Sequence, residues 1–293
     1  MRVESAIFDR GFFEKLNTLK MSLSMHLDQG MSGIRKSGAK GSSVEFSDFR
    51  EYMLGDDIRR IDWNAYGRTD KLYIKQFMEE KEGRFQIFID TSKSMCFGEI
   101  PKSTMALQVA GALSYIILNN LDRVYIHEMK ENSVTQGKGV TGASAFPHIL
   151  AALNRIFFDG RTTLNKTILS RPVAVGGVSV IISDFLDKEG IEEAVKYLAY
   201  KKQTIVLIQI LSKEERQIAY EGTVNILDVE TGERVKITMS NATIRQYGEQ
   251  LQGLQESLKT LAGKYGADYI FMQSDDSLIH AMLHGFYGIL QGK

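Results

Sequence analysis

An Asp-x-Ser-x-Ser sequence, Asp90 to Ser94, comes directly after the apolar run 85–89, where a buried strand is expected to end. Its carboxylate and two hydroxyls are hard oxygen ligands of the kind that magnesium and manganese prefer. In open parallel α/β sheets, ligands bind outside the carboxyl ends of the strands. The segment therefore predicts a cation site at such an edge, with Asp90, Ser92 and Ser94 as ligands.

Residues further along the chain complete the predicted site. The apolar run 178–183 predicts a second buried strand, and Asp184 follows it directly. Because consecutive strands of such sheets are usually neighbours, Asp90 and Asp184 should meet at one edge. The preceding loop offers Thr162 as a hydroxyl ligand, with Thr163 as the alternative. Two carboxylates balance a divalent ion, which remains a Lewis acid with a vacancy for an acidic side chain of a partner protein.

These positions depend on the elements around them. After Gly83 the chain alternates strand-like and helix-like patterns, which is typical of a parallel sheet with crossover helices. The predicted strands are 84–89, 123–129, 133–136, 179–183, 203–210 and 268–272. The predicted helices are 104–119, 143–157, 191–201, 243–265 and 277–290.

Other segments lie outside that alternation. Residues 8–27 place apolar side chains at helical spacing and predict an amphipathic helix. Residues 42–83 are rich in both charges and aromatic side chains and should fold, because disordered segments are poor in aromatics. Alternating residues around Thr231-Gly232 predict a β-hairpin inserted before the long helix. We therefore predict an N-terminal segment over 1–82 and a main domain over 83–293, with an insertion at about 212–240.

Composition excludes several function classes. The 36 basic and 36 acidic residues balance, so no global charge attracts nucleic acid or an anionic membrane. Cys96 is the single cysteine, which excludes an intrachain disulfide and a multi-thiolate zinc site and agrees with a reducing compartment. Residues 1–20 lack the apolar core of a signal peptide, and the apolar runs are far shorter than a membrane span of roughly 20 residues. We expect a cytoplasmic protein without membrane insertion or nucleic-acid binding.

The order of the predicted ligands is also informative. Asp90-x-Ser92-x-Ser94, followed by Thr162 and Asp184, resembles the metal-ion-dependent adhesion site of von Willebrand factor A domains. The resemblance implies a doubly wound, mostly parallel sheet flanked by helices. It also implies capture of partner proteins through Mg²⁺, or Mn²⁺ or Ca²⁺ in its place. Where most of those domains have Gly-Gly-Thr-x-Leu, this chain has Arg161 in the second position.

A second resemblance covers the N-terminal segment. Phe49-Arg50-Glu51-Tyr52 and the run from Gly55 to Trp63 resemble the signature of the bacterial domain of unknown function 58 family, which couples it to a von Willebrand factor A-like domain. That resemblance implies a MoxR-type AAA+ ATPase as partner. Arg59 and Arg60 are then candidate partner contacts, as are Arg161 and Thr163 beside the predicted ion. Alternatively, the charges near Trp63 pair with one another around a buried tryptophan, which we favour.

Competing interpretations of these motifs are weaker. Asp90 and the serines alone could cap a helix. The spacing of Gly137, Gly139 and Gly142 matches a dinucleotide fingerprint, but it follows a strand predicted to be antiparallel, where that fingerprint does not belong. We expect a non-enzymatic, metal-dependent protein-binding module. The alternative is a metal-dependent phosphohydrolase with Asp90 as nucleophile, although an Asp-x-Asp pair is absent from this segment.

Overall fold

The computed structural model describes residues 7–19, 44–79, 82–218, 222–227 and 234–290. They fall into two compact units, of which one lies within Met31–Glu82 and the other combines Met1–Gly30 with Gly83–Lys293. The strands are β1 (Val44–Glu51), β2 (Tyr73–Glu79), β3 (Arg84–Asp90), β4 (Arg123–Lys130), β5 (Ser133–Gln136), β6 (Val140–Thr141), β7 (Val178–Ser183), β8 (Thr204–Leu211), β9 (Gly222–Leu227), β10 (Arg234–Met239) and β11 (Asp268–Gln273). The helices are α1 (10–19), α2 (Trp63–Thr69), α3 (Lys102–Asn119), α4 (Phe146–Leu153), α5 (Leu164–Leu169), α6 (Glu192–Tyr200), α7 (Lys213–Arg216), α8 (Asn241–Tyr265) and α9 (Leu278–Leu290).

The larger unit is built on one mixed sheet. Its strands run in the order β11-β8-β7-β3-β4-β5, and β6 also pairs with β4. The pairs β3–β4, β3–β7, β7–β8 and β8–β11 are parallel, whereas β5 and β6 are antiparallel to β4. The chain leaves β3 on one side to form β4 and returns on the other to form β7. The carboxyl ends of β3 and β7 therefore form a topological switch point, where such sheets bind ligands.

Helices cover both faces of this sheet. One layer buries apolar side chains of α1, α3, α4 and α9, among them Phe12 and Leu107. The opposite layer buries side chains of α5, α6 and α8, among them Leu198 and Leu258. Strands covered on both faces should be apolar throughout, and the last four residues of β3 are all buried. The predicted fold class, a doubly wound and mostly parallel sheet flanked by helices, is confirmed.

Most predicted elements lie within about two residues of their observed bounds, as expected where periodicity is long and clear. The helix predicted over 143–157 is shorter, because a 3-10 turn occupies Ala143–Ala145 and α4 ends at Leu153. Helix α5 was not predicted, since six residues give too few turns for a helical period to show. Strands β9 and β10 pair as an antiparallel hairpin, while the predicted turn at Thr231-Gly232 lies outside the described residues.

The N-terminal helix packs within the sheet unit. Phe12, Leu16 and Leu19 are buried in its core, as their helical spacing predicts, whereas Leu23 and Leu27 lie outside the described residues. The sequence placed residues 1–82 in one segment. The structure instead groups α1 with the sheet, because the apolar stripe of this helix is buried in the same core as side chains of α3 and α4.

The smaller unit is held by local charge pairing. Strands β1 and β2 form an antiparallel pair with a bulge near Phe46. The Arg50 guanidinium donates two hydrogen bonds to the Asp56 carboxylate, at 2.9 and 2.8 Å, and this contact lowers the pKa of Asp56. Asp62 caps α2 by accepting from two backbone amides of its first turn. The expectation of a buried Trp63 is wrong: this side chain is 64% exposed, because α2 is a single short helix with no buried residue.

One buried side chain makes the fold sensitive to acid. His127 in β4 is fully buried and stacks on Phe88, with ring centroids 4.5 Å apart. Within the described residues, neither of its ring nitrogens has a hydrogen-bond partner. Burial, together with the nearby charge of Arg171, lowers the pKa of His127 from 6.5 to about 4. The folded chain therefore excludes a proton that the unfolded chain accepts.

We expect the His127 penalty to appear as the pH falls through 6.5, the unfolded value, and to grow until about 4. By pH 5 it should reduce the free energy of unfolding by about 2 kcal/mol. Urea denaturation of the wild type and of His127→Leu at pH 8 and pH 5 measures this difference. The exposed His148, replaced in the same way, is the control. Equal pH dependence of the wild type and His127→Leu would contradict the assignment.

Candidate metal centre

The two predicted aspartates stand at the ends of neighbouring strands. Strands β3 and β7 pair in parallel, with Ile89 opposite Ile182, so Asp90 ends one strand and Asp184 directly follows the other. Their exposed fractions are 4% and 3%. The predicted adjacency of these strands is confirmed. Two carboxyl groups thus share a buried position at the switch point of the sheet.

Hydrogen bonds join the aspartates through the two serines. The Ser92 backbone amide donates to Asp90 Oδ1 at 2.9 Å. The Ser92 and Ser94 hydroxyls are 2.9 Å apart, and Ser94 Oγ donates to Asp184 Oδ2 at 3.0 Å. Four of the five predicted ligands therefore belong to one continuous network.

Thr162 hydrogen-bonds to the backbone of β4. Its hydroxyl is buried and donates to the Met129 carbonyl at 3.1 Å. The loop that carries it is attached to the Asp-x-Ser-x-Ser segment, since the Lys93 amide donates to the Gly160 carbonyl at 3.0 Å. A hydroxyl that gives its proton to a carbonyl keeps lone pairs for a cation. Thr163, the alternative ligand, is half-buried at the amino-terminal cap of α5.

Ser183, which was not among the predicted site residues, hydrogen-bonds to Asp90. Its hydroxyl donates to Asp90 Oδ2 at 2.6 Å and accepts from the Phe185 amide at 3.0 Å. Burial raises the pKa of Asp90, and the charge of Asp184 raises it further, against the lowering effect of these hydrogen bonds. Asp90 is therefore a carboxylate whose charge the surrounding fold disfavours.

A buried lysine and the glutamate that it contacts were also not predicted. Lys102, the first residue of α3, is 0% exposed, and its ammonium contacts Asp184 Oδ2 at 2.7 Å and also Glu215 Oε1. Burial opposes its charge, but Asp184 and Glu215 outweigh burial and raise the pKa of Lys102 overall. Burial also raises the pKa of Glu215, despite the lysine beside it. The cluster thus carries more buried negative charge than one ammonium balances.

Of Glu215 and Lys102, only Glu215 had a signal in the sequence. Ser212 and Glu215 form a capping box around α7, directly after β8, and the Ser-x-x-Glu spacing at a strand end indicates such a box. Lys102 has no comparable signal, because a lysine at a helix start ordinarily points into solvent.

The donors present match a hard divalent ion. Two carboxylates and three hydroxyls offer oxygen alone, which suits Mg²⁺ or Mn²⁺ better than softer metals. Within the ranges that the structure describes, no group of three or more His, Cys, Asp or Glu side chains is arranged to hold a metal. A centre at this place therefore depends on the hydroxyls of Ser92, Ser94 and Thr162 as much as on the aspartates.

The predicted partner contacts fall in different units. Arg161 is exposed and adjoins Thr162 in the larger unit. Arg59 is exposed in the smaller unit, where its guanidinium lies 3.1 Å from Asp57. Arg60 ends the 3-10 turn Ile58–Arg60 beside it.

Comparison with known proteins shows which family this chain belongs to. The family model described as "Protein of unknown function DUF58" matches residues 48–256. The chain belongs to the DUF58 family. Among curated relatives, the uncharacterized protein Rv1480 of Mycobacterium tuberculosis is 25% identical over 224 residues, which cover 74% of this chain and 70% of that protein.

Solved structures similar to this DUF58 chain have low sequence identity. BatB from Bacteroides thetaiotaomicron is 15% identical, with a TM-score of 0.45 over 71% of this chain and 98% of that chain. The SpRpn10 VWA domain is 12% identical, with a TM-score of 0.38 over 69% of this chain and 94% of that one. The fold class of this family member rests on the strand order and pairing described above. In the parts of the chain described by the structure, no helix is both long and apolar enough to span a bilayer.

Replacing Asp90 with asparagine should stabilise the metal-free chain. The raised pKa of Asp90 means that the folded state loses stability as the pH rises above 3.8, the ordinary value, and asparagine removes this loss while keeping the shape. We expect Asp90→Asn to melt above the wild type in chelator at pH 7 and to lose any stabilisation by excess Mn²⁺. Glu193→Gln, at an exposed position of α6, is the charge-matched control. A lower melting temperature for Asp90→Asn in chelator would refute this account.

Proposed function

We propose that the chain is a non-enzymatic protein-binding module that captures an acidic group of a partner through a divalent cation. The ligands are Asp90, Ser92, Ser94, Thr162 and Asp184. The observation that carries the proposal is the hydrogen-bond network that links two buried aspartates through two serines at the switch point of the sheet. Polar groups converging at such a point are the usual mark of a binding site.

The ion in this proposal is Mg²⁺, with Mn²⁺ or Ca²⁺ as substitutes. When bound, it supplies an open coordination position to a carboxylate oxygen of the partner. The chain itself contributes two negative charges from Asp90 and Asp184 and neutral hydroxyls otherwise. A site neutralised in this way attracts one further carboxylate less strongly than a bare ion does, which favours reversible capture.

Exposed apolar side chains follow the proposed ligands closely in sequence. Phe97 and Ile100 are exposed in the segment between Ser94 and α3, and Leu186 is exposed two residues after Asp184. Arg161 adds a positive charge on the neighbouring loop and suits an acidic partner segment.

For the partner we propose a MoxR-type AAA+ ATPase, with this chain as its adaptor in the cytoplasm. Membership of the DUF58 family supports this choice through the association that the family resemblance implies. The single cysteine agrees with a reducing compartment. In this proposal Arg161 and Thr163 contact the partner beside the ion, and Arg59 and Arg60 contribute from the smaller unit.

The test is capture of the purified MoxR-type ATPase of the same organism by the immobilised full chain, without nucleotide. We expect capture in Mg²⁺ or Mn²⁺, loss of it in excess chelator, and at least tenfold weaker binding by Asp90→Asn in either metal. Asparagine is used because Asp90 is buried and hydrogen-bonded, so that an isosteric change preserves the fold.

Glu193→Gln is the matched control for this capture, because it removes an exposed carboxylate that is not a proposed ligand. It should bind as the wild type does. Capture at full strength in chelator, or by Asp90→Asn, would rule out the metal-dependent mode.

The rival function is a metal-dependent phosphohydrolase with Asp90 as nucleophile. One observation favours it, since the buried Lys102 ammonium could stabilise charge on a transferring phosphoryl group. Against it, both oxygens of Asp90 are engaged in hydrogen bonds, to Ser92 and Ser183. We expect no turnover of a generic phosphate-ester panel in Mg²⁺. Turnover that is lost in Asp90→Asn would establish the enzyme instead.

A further inference from the structure

The Lys102 ammonium contacts a carboxylate oxygen of one of the proposed cation ligands. It contacts Asp184 Oδ2 at 2.7 Å, and the same oxygen accepts from Ser94 Oγ at 3.0 Å. Ser94 and Asp184 are both ligands in the proposed function, on which this inference rests. Two positive charges that share one carboxylate oxygen repel each other strongly in a buried site. Lys102 is therefore an internal competitor of the divalent ion.

Glu215 offers the ammonium a second place to bind. Its Oε1 contacts Lys102, while its Oε2 accepts from the Ser212 amide at 2.8 Å. The Glu215 amide in turn donates to Ser212 Oγ at 3.2 Å, which completes the capping box of α7. A carboxylate clamped at one oxygen presents the other in a constant direction. Lys102 can thus give up Asp184 without losing its only counter-charge.

The charges of the cluster agree with this division of roles. Asp90, Asp184 and Glu215 are three acidic groups, and the Lys102 ammonium contacts two of them, Asp184 and Glu215. The excess of two negative charges equals the charge of one divalent ion. Lys102 and Glu215 together add no net charge to the two aspartates.

We propose that Lys102 and Glu215 are positioning residues with opposite effects on the cation site. Lys102 holds Asp184 in place in the metal-free state and weakens divalent binding by competing for it. Glu215 withdraws the ammonium toward β8 when the ion binds Asp184, and so strengthens binding. The pair tunes the site to weak, reversible occupancy.

The movement of the ammonium between Asp184 and Glu215 involves groups that are already in contact. Gly98, in the loop that follows Ser94, has a φ of +105°, and a Cβ there would lie 2.8 Å from the Cβ of Ser212. The Glu99 amide donates to Glu214 at 3.1 Å. The loop that carries the serines is therefore already in contact with the capping box, and the ammonium needs to move only between two carboxylates that it touches.

The experiment is isothermal titration calorimetry of the full chain with Mn²⁺ alone. Removing the competitor in Lys102→Met should tighten binding at least tenfold. Removing its second partner in Glu215→Gln should weaken binding at least tenfold, because the ammonium then rests on Asp184 alone. In the double variant Glu215 has no ammonium to withdraw, so Glu215→Gln should change the affinity of Lys102→Met by less than about threefold, against tenfold in the wild type. This non-additivity is the signature of a directly coupled pair.

A purely structural ion pair would behave differently. Both single variants would then lose affinity in proportion to their lost stability, which urea denaturation of each variant measures. Lys102→Met with unchanged or weaker Mn²⁺ affinity, in a chain that folds by circular dichroism, would overturn the inference. If Lys102→Met does not fold, Glu215→Gln decides, and wild-type affinity in that variant overturns the inference.

Asp90→Asn distinguishes this failure from failure of the proposed function. If Mn²⁺ binding depends on Asp90 but is unaffected by Lys102 and Glu215, only the inference of this section is wrong. Absence of Asp90-dependent Mn²⁺ binding in every variant overturns both.

Discussion

Two negative charges buried at the ends of adjacent parallel strands are the constraint around which this structure is arranged. Water would solvate Asp90 and Asp184, but the sheet removes them from it. Backbone amides, the Ser183 hydroxyl and the Lys102 ammonium replace part of that solvation. The replacement is incomplete, since the pKa of Asp90 remains raised by burial and by its neighbour. A fold without a use for the pair would gain stability by losing one charge.

The groups that compensate the buried negative charge come from the ends of three strands rather than two. Strand β3 leads to the serines and to Lys102, β7 delivers Asp184, and β8 leads to the capping box with Glu215. Gln209 in β8 also donates to the Asp184 carbonyl at 2.9 Å. Hydrogen bonds therefore connect the centre to both β7 and β8. The loop with Thr162 borders the remaining side of the centre. Backbone hydrogen bonds attach this loop to the Asp-x-Ser-x-Ser segment.

In the smaller unit, charged side chains contact residues closer in sequence than those around Asp184 do. Several charges of its signature make short-range bonds, of which the Arg50–Asp56 fork and the Asp62 cap are the clearest. Such bonds are made within a few residues and need no distant partner. They leave Trp63 and the neighbouring Tyr66 on the surface, in an edge-to-face contact with ring centroids 6.3 Å apart.

The amino-acid sequence by itself determined the sheet and its acidic edge. Long apolar runs and helical stripes are local patterns, so the strands around Asp90 and Asp184 and the burial of Leu16 followed from them. Short elements such as α5 carried too little periodicity, and the exposure of Trp63 depended on how little the smaller unit packs over α2. The tertiary structure alone decided that Lys102 turns inward and meets Asp184 and Glu215. The direction of a long charged side chain is set by where its counter-charges converge, and these are 82 and 113 residues away along the chain.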